Sequence, residues 1–95
     1  MESMSIRQRI VALLSEHELD ARELAQELGL KEKEVYEHLE HVERSLAASG
    51  GRFIITPSRC LLCGYVFADR KRLTRPGRCP QCRRSKLQNP SFRIA

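Results

Sequence analysis

Cys60-Leu61-Leu62-Cys63-Gly64, answered by Cys79-Pro80-Gln81-Cys82, is the passage on which the reading of this chain turns. The two pairs hold all four cysteines of the protein, and fifteen residues, 64–78, separate them. C-x2-C units at this distance have the spacing of a tetrahedral metal site. Two residues between thiolates let a tight turn aim both sulfurs at one ion while backbone N–H groups donate to them. Gly64 supplies the backbone freedom such a turn needs, and Pro80 fixes φ within the second one. Four protein thiolates leave no coordination position open for chemistry, so the expected role is structural. Borderline-soft Zn2+, one ion per chain, is the expected metal. Iron is the second choice, because both metals accept a tetrahedron of sulfurs.

Two disulfides are the alternative use of four cysteines. The opening residues, Met1-Glu2-Ser3-Met4-Ser5-Ile6-Arg7, are polar and run straight into an amphipathic pattern rather than a secretory leader. That start favours a reducing, cytoplasmic setting and therefore metal over disulfides. No apolar run approaches the ~20 residues that span a bilayer, so no membrane role is expected.

The 95 residues carry a net charge of +5 that is divided very unevenly. Residues 1–50 hold six Lys/Arg and eleven Asp/Glu, a net of −5; residues 51–95 hold eleven Lys/Arg and one acid, Asp69, a net of +10. Such asymmetry between halves predicts two modules, with the second facing a polyanion.

Ser5 followed by Gln8 has the form of a capping box, and Ile6, Ile10, Leu13 and Leu14 then recur at helical spacing. A first helix is expected over 5–16. Asp20 with Glu23 marks a second helix start, Leu24, Ala25 and Leu28 give it an apolar face, and Gly29 stops it. A third helix carries Val35, Leu39, Val42 and Leu46 and ends near Ala48. Three short helices with a glycine turn between the last two form a helix-turn-helix arrangement, which requires a small Ala25 and a space-filling Val35 where they cross.

The third helix is acidic, with Glu32, Glu34, Glu37, Glu40 and Glu43 against Lys31, Lys33 and Arg44. A helix that enters a DNA groove normally brings net positive charge. Lys31, Lys33 and Tyr36 lie near its N-terminal end, within reach of DNA, with the two lysines as the candidates for contact. The acidic face offers a dock for a basic protein partner or for the chain's own basic segment. His38 and His41, at i and i+3, read as surface or packing residues.

Arg52-Phe53-Ile54-Ile55-Thr56-Pro57 is β-rich and ended by proline, as expected of a first wing strand, and Gly64-Tyr65-Val66-Phe67-Ala68 reads as the strand that returns. Phe92 and Ile94 alternate as in an edge strand. The most basic stretch lies between the cysteine pairs. Arg70, Lys71, Arg72, Arg75 and Arg78, together with Arg83, Arg84 and Lys86, are the candidate phosphate-contacting side chains.

The run Ala21-Arg-Glu-Leu-Ala-Gln-Glu-Leu-Gly-Leu-Lys-Glu-Lys-Glu-Val-Tyr-Glu-His-Leu39 resembles the helix-turn-helix of prokaryotic winged-helix regulators, through Leu24, Ala25, Gly29, Leu30, Val35 and Leu39. Taken with the cysteine pairs, nearly the whole chain resembles a family of prokaryotic predicted transcriptional regulators that fuse a helix-turn-helix to a four-cysteine zinc ribbon. The resemblance implies DNA binding in transcription and zinc-ligand roles for Cys60, Cys63, Cys79 and Cys82. The cysteine turns also resemble rubredoxin knuckles, which hold redox-active iron, although rubredoxins usually continue the second knuckle with Gly where this chain has Arg83.

The expected architecture is therefore α+β: an N-terminal three-helix (winged) helix-turn-helix over 1–51, then a wing strand and a small rubredoxin-like β zinc ribbon over 52–95. The expected activity is transcription regulation through double-stranded DNA. A protein-interaction adaptor of the transcription or translation machinery and an iron redox protein are the alternatives. No nucleophile–base constellation suggests an enzyme. A homodimer would suit a palindromic site, though no pattern in the chain demands one.

Overall fold

In the computed structural model, residues 5–70 and 72–95 are described. Local chemistry sets the helix starts. Ser5 Oγ accepts the Gln8 N–H at 3.2 Å while Gln8 Oε1 accepts the Ser5 N–H at 2.9 Å, opening α1 (Ile6–Glu16). Asp20 and Glu23 repeat this reciprocal cap ahead of α2 (Ala21–Leu28), at 2.8 and 2.9 Å. Gly29 ends α2 at φ 68°, a left-handed conformation that suits a residue without Cβ. Three residues on, α3 (Glu32–Ser49) begins, with Glu34 accepting the Lys31 N–H at 3.1 Å. Glu32 and Glu34 also place negative charge at the positive end of the helix dipole.

Ile10, Leu14, Leu24, Val35 and Leu39 are fully buried between the three helices, with Ala25 and Val42 beside them. Both Ala25 and Val35 are core residues, as the expected helix crossing requires. Among the described residues, no helix is long and apolar enough to cross a membrane.

Three short strands complete the body: β1 (Leu19–Asp20), β2 (Phe53–Thr56) and β3 (Ser91–Ile94), antiparallel in the order β1-β3-β2. This corrects two expectations. The segment 64–68 is not the partner of β2; it turns back on 58–60 instead, with an isolated bridge between Val66 and Arg59. The returning strand is β3, and it lies in the middle of the sheet rather than at an edge. The reason is Phe92. It pairs with Leu19 on one side and Ile55 on the other, stacks on Phe53 with ring centroids 5.8 Å apart, and is completely buried in the helical core. An edge position would leave that ring half in water.

Packing therefore crosses the border expected near residue 51, since Phe92 and Leu73 join the same core as the helices. Glu18 stitches the strand ends together. Its carboxylate accepts a hydrogen bond from Ser91 Oγ, and hydrogen bonds from Ser91 and then Thr56, with the nearby Arg93 charge, hold its pKa below the ordinary carboxylate value.

Truncating Phe92 to Ala removes the ring that joins sheet to helices. The expected loss is about 3–5 kcal/mol in urea unfolding of metal-loaded protein, a large share of a typical ~5–15 kcal/mol total. A loss below about 1 kcal/mol would contradict this role.

Candidate metal centre

Between β2 and β3 the chain makes an excursion of 34 residues, 57–90, that carries both cysteine pairs. The two turns repeat one backbone design. In the first, Cys60 O accepts the Gly64 N–H at 3.0 Å and the Cys60 N–H reaches Tyr65 O at 2.8 Å; in the second, Cys79 O accepts the Arg83 N–H at 2.9 Å and the Cys79 N–H reaches Arg84 O at 2.8 Å. Each turn places the residue after its second cysteine at positive φ, Gly64 at 81° and Arg83 at 63°. Arg83, which departs from the glycine of the rubredoxin pattern, thus adopts the glycine conformation at a cost on the order of 1 kcal/mol. Segments 59–61 and 86–88 pair across the base of the ribbon, through Leu61 N–H to Lys86 O at 3.0 Å and Gln88 N–H to Arg59 O at 2.8 Å.

This backbone brings the four Sγ atoms within 4.8 Å of one another. The nearest pairs are Cys60–Cys82 at 3.5 Å and Cys63–Cys79 at 3.6 Å. All four are free thiols, and these separations far exceed a sulfur–sulfur bond of about 2.05 Å. Four sulfurs about 2.3 Å from a central ion form a tetrahedron with edges of about 3.8 Å, so the donor set fits one metal ion of thiolate preference. Among the described residues it is the one such cluster, and His38 and His41 are not drawn into another.

Cys60 and Cys79 are buried, Cys82 is half-buried and Cys63 is exposed. The sulfurs sit on a small cluster of their own, made of Cys60, Cys79 and Leu87 with Tyr65 and Phe67 against it. The two rings meet edge to face at 5.1 Å. Leu87 and this aromatic pair were not singled out as walls of the site; only the alternation of Tyr65 and Phe67 hints at it.

The thiols polarise one another. The Cys63 N–H, with help from the Leu62 N–H and neighbouring sulfurs, lowers Cys60 to about 6 against the burial that opposes it. At Cys63 the Tyr65 N–H favours the thiolate, but burial and the sulfurs of Cys79, Cys60 and Cys82 push the group up to about 12. Burial works against the Cys79 thiolate, yet the Cys82 and Gln81 N–H groups bring that thiol down. Cys82 moves up despite the Arg84 N–H. Crowded thiols of this kind ionise together once a cation supplies the balancing charge.

The candidate phosphate-contacting residues fall into distinct surroundings. Lys31 and Lys33 are exposed at the start of α3. Arg78, Arg83, Arg84 and Lys86 are exposed around the second cysteine turn. Arg70 is turned inward on its own loop, donating to Thr74 O at 3.2 Å and Thr74 Oγ1 at 3.3 Å. Arg72 and Arg75 lie across from the acidic side of α3, Arg72 near Glu40 and Glu43 and Arg75 near Glu32. Lys71 lies outside the described residues. Leu73, in the middle of this basic run, is buried in the helical core and pins the loop to the body, a role that no local pattern signals.

Replacing Cys79 with Ser is expected to abolish metal retention. Amide-exchange protection should disappear over 58–67 and 78–88 and persist in the helices and in 91–94, which belong to the helical sheet. Retained metal, or protection lost equally everywhere, would contradict a metal-ordered ribbon on an independent body.

Among curated proteins, none matches the chain. In three dimensions it is similar to protein PF0610 from Pyrococcus furiosus, a solution NMR structure, with a TM-score of 0.80 and 26% identity over 100% of this chain and 95% of that one. The family model described as PF0610-like, N-terminal matches residues 5–54. A three-helix body with a small antiparallel sheet, extended by a four-cysteine metal site, thus belongs to the PF0610-like family.

Proposed function

We propose that the protein is a non-catalytic, DNA-binding transcription regulator, a winged helix-turn-helix whose wing carries a structural zinc ribbon. The observation that carries this reading is the site of the ribbon in the sheet. The element order α1-β1-α2-α3-β2-β3, with β3 between β1 and β2, is the order of a winged helix, in which β2 and β3 form the wing. Here the hairpin turn of that wing is replaced by 57–90, the most basic part of the chain. A metal ion at the four sulfurs would fix Arg78, Arg83, Arg84 and Lys86 on a rigid support, so that phosphate contacts cost little side-chain and loop ordering. Lys31 and Lys33 would add contacts from the start of α3. Zinc suits this role because it holds four thiolates without redox chemistry. Its contribution to folding is on the order of 10 kcal/mol in small modules of this kind, and the ribbon's own apolar cluster is too small to replace it.

One observation favours a second reading, the protein-interaction adaptor. Leu61 and Leu62, each 54% exposed, and Val66, 45% exposed, stand out around the first cysteine turn. Neighbouring exposed apolar side chains are more typical of a protein contact than of a phosphate backbone.

Titration of a DNA duplex with metal-loaded protein at two salt concentrations separates the readings. The regulator predicts log K falling by about 0.9 per phosphate neutralised as log salt rises. Replacing Arg83 and Arg84 together with Ala should weaken binding and flatten that slope by up to about two contacts' worth. Absence of duplex binding at low salt would overturn the regulator in favour of the adaptor.

A further inference from the structure

Where Leu73 pins the basic loop to the helical body, the loop leaves a cleft against α3. A cavity of about 480 Å3 is lined there by Arg22 of α2, Glu32 and Tyr36 of α3, Thr74 and Arg75 of the loop, and Asn89 just before β3. Its volume lies within the range of small-molecule sites. Its walls come from α2, α3, the basic loop and Asn89 leading into β3, so the cleft exists only where that loop is packed on the helices.

The lining has donors to spare. The arginine side-chain hydrogen bonds found among the described residues belong to Arg44 and Arg70, so among those residues no acceptor holds the guanidinium forks of Arg22 and Arg75. Two such forks match a phosphate monoester, which carries a charge of about −1.5 to −2 at neutral pH, better than a single carboxylate. Glu32 adds an acceptor for a hydroxyl or amino group. Asn89 is oriented by its Nδ2 bond to Asp20 Oδ2 at 3.4 Å. Tyr36 is half-buried, and burial first, then Glu32 and Asp20, raise its phenol above the ordinary value against the opposing N–H and charge of Arg75. It therefore stays neutral and able to donate.

We propose that this cleft binds a small phosphorylated ligand of nucleoside monophosphate size, its phosphate held by Arg22 and Arg75 and its polar groups by Glu32, Tyr36 and Asn89. Such a ligand would tie α2 and α3 to the ribbon loop, which gives it a lever on the position of the loop. The inference stands apart from DNA binding and does not require it.

The test uses the metal-loaded full chain, titrated with AMP and separately with inorganic phosphate and followed by backbone amide NMR. The expected result is saturable shifts around residues 22, 32, 36, 74, 75 and 89, with AMP bound more tightly than inorganic phosphate. Arg22→Ala and Arg75→Ala should each weaken AMP binding at least tenfold; both residues are exposed, so the fold should survive. No saturable shift, shifts centred on 83–86, equal affinity for the two probes, or binding that survives both substitutions would overturn the proposal. Duplex binding by Arg22→Ala should be unchanged, and a parallel loss would overturn the assignment of a separate site.

Discussion

Four sulfurs drawn to one point hold together an excursion that has almost nothing else inside it. The 34 residues between β2 and β3 contribute a cluster of three buried side chains, Cys60, Cys79 and Leu87, and two of those are themselves ligands. Hydrophobic burial on that scale cannot offset the conformational entropy of ordering so many residues. A shared ion can, because it converts two weak local turns into one closed unit. Its entry and exit strands are neighbours in the sheet, so the ribbon can be ordered or disordered with little effect on the core below. Leu73 is the exception: it reaches from the middle of the excursion back into the helical core.

What the chain disclosed in advance follows the range of the interactions. Capping boxes at Ser5–Gln8 and Asp20–Glu23, the glycine stop at 29 and the paired cysteines act over two to five residues or repeat a fixed spacing, and all are found as expected. The strand pairing was not legible. Gly64-Tyr65-Val66-Phe67-Ala68 has the composition of a strand and lies close to β2 in sequence, yet its aromatic residues serve as walls of the metal site. The true partner lies at the far end of the chain, and nothing local in Ser91-Phe-Arg-Ile94 states that it sits between two other strands. β1, at two residues, is too short to show any period. Leu73 was hidden because one leucine among arginines carries no pattern at all.

The same contrast explains the charge distribution. A net of −5 in the first half and +10 in the second predicts two modules, with the acidic face of the third helix as one possible dock for the chain's own basic segment. In the folded chain part of the basic loop faces part of the acidic helix, with Arg72 opposite Glu40 and Glu43 and Arg75 near Glu32. Those cations share their clefts with acidic side chains rather than facing open solvent alone. The cations around the second cysteine turn are left facing outward. The basic half is thus divided in its surroundings, with Leu73 holding the loop on the helical core.

All of this rests on the four cysteines acting as one ligand set. The most direct test counts metal ions and reactive thiols on the same sample, before and after a strong chelator. One tightly held ion per chain and no readily modified thiol are expected, then four reactive thiols once the ion is removed. Even Cys63, exposed as a side chain, should be protected while it is a ligand. Two or more thiols reacting in the metal-loaded protein, or a full set of protected thiols with no metal present, would contradict a single ligand set.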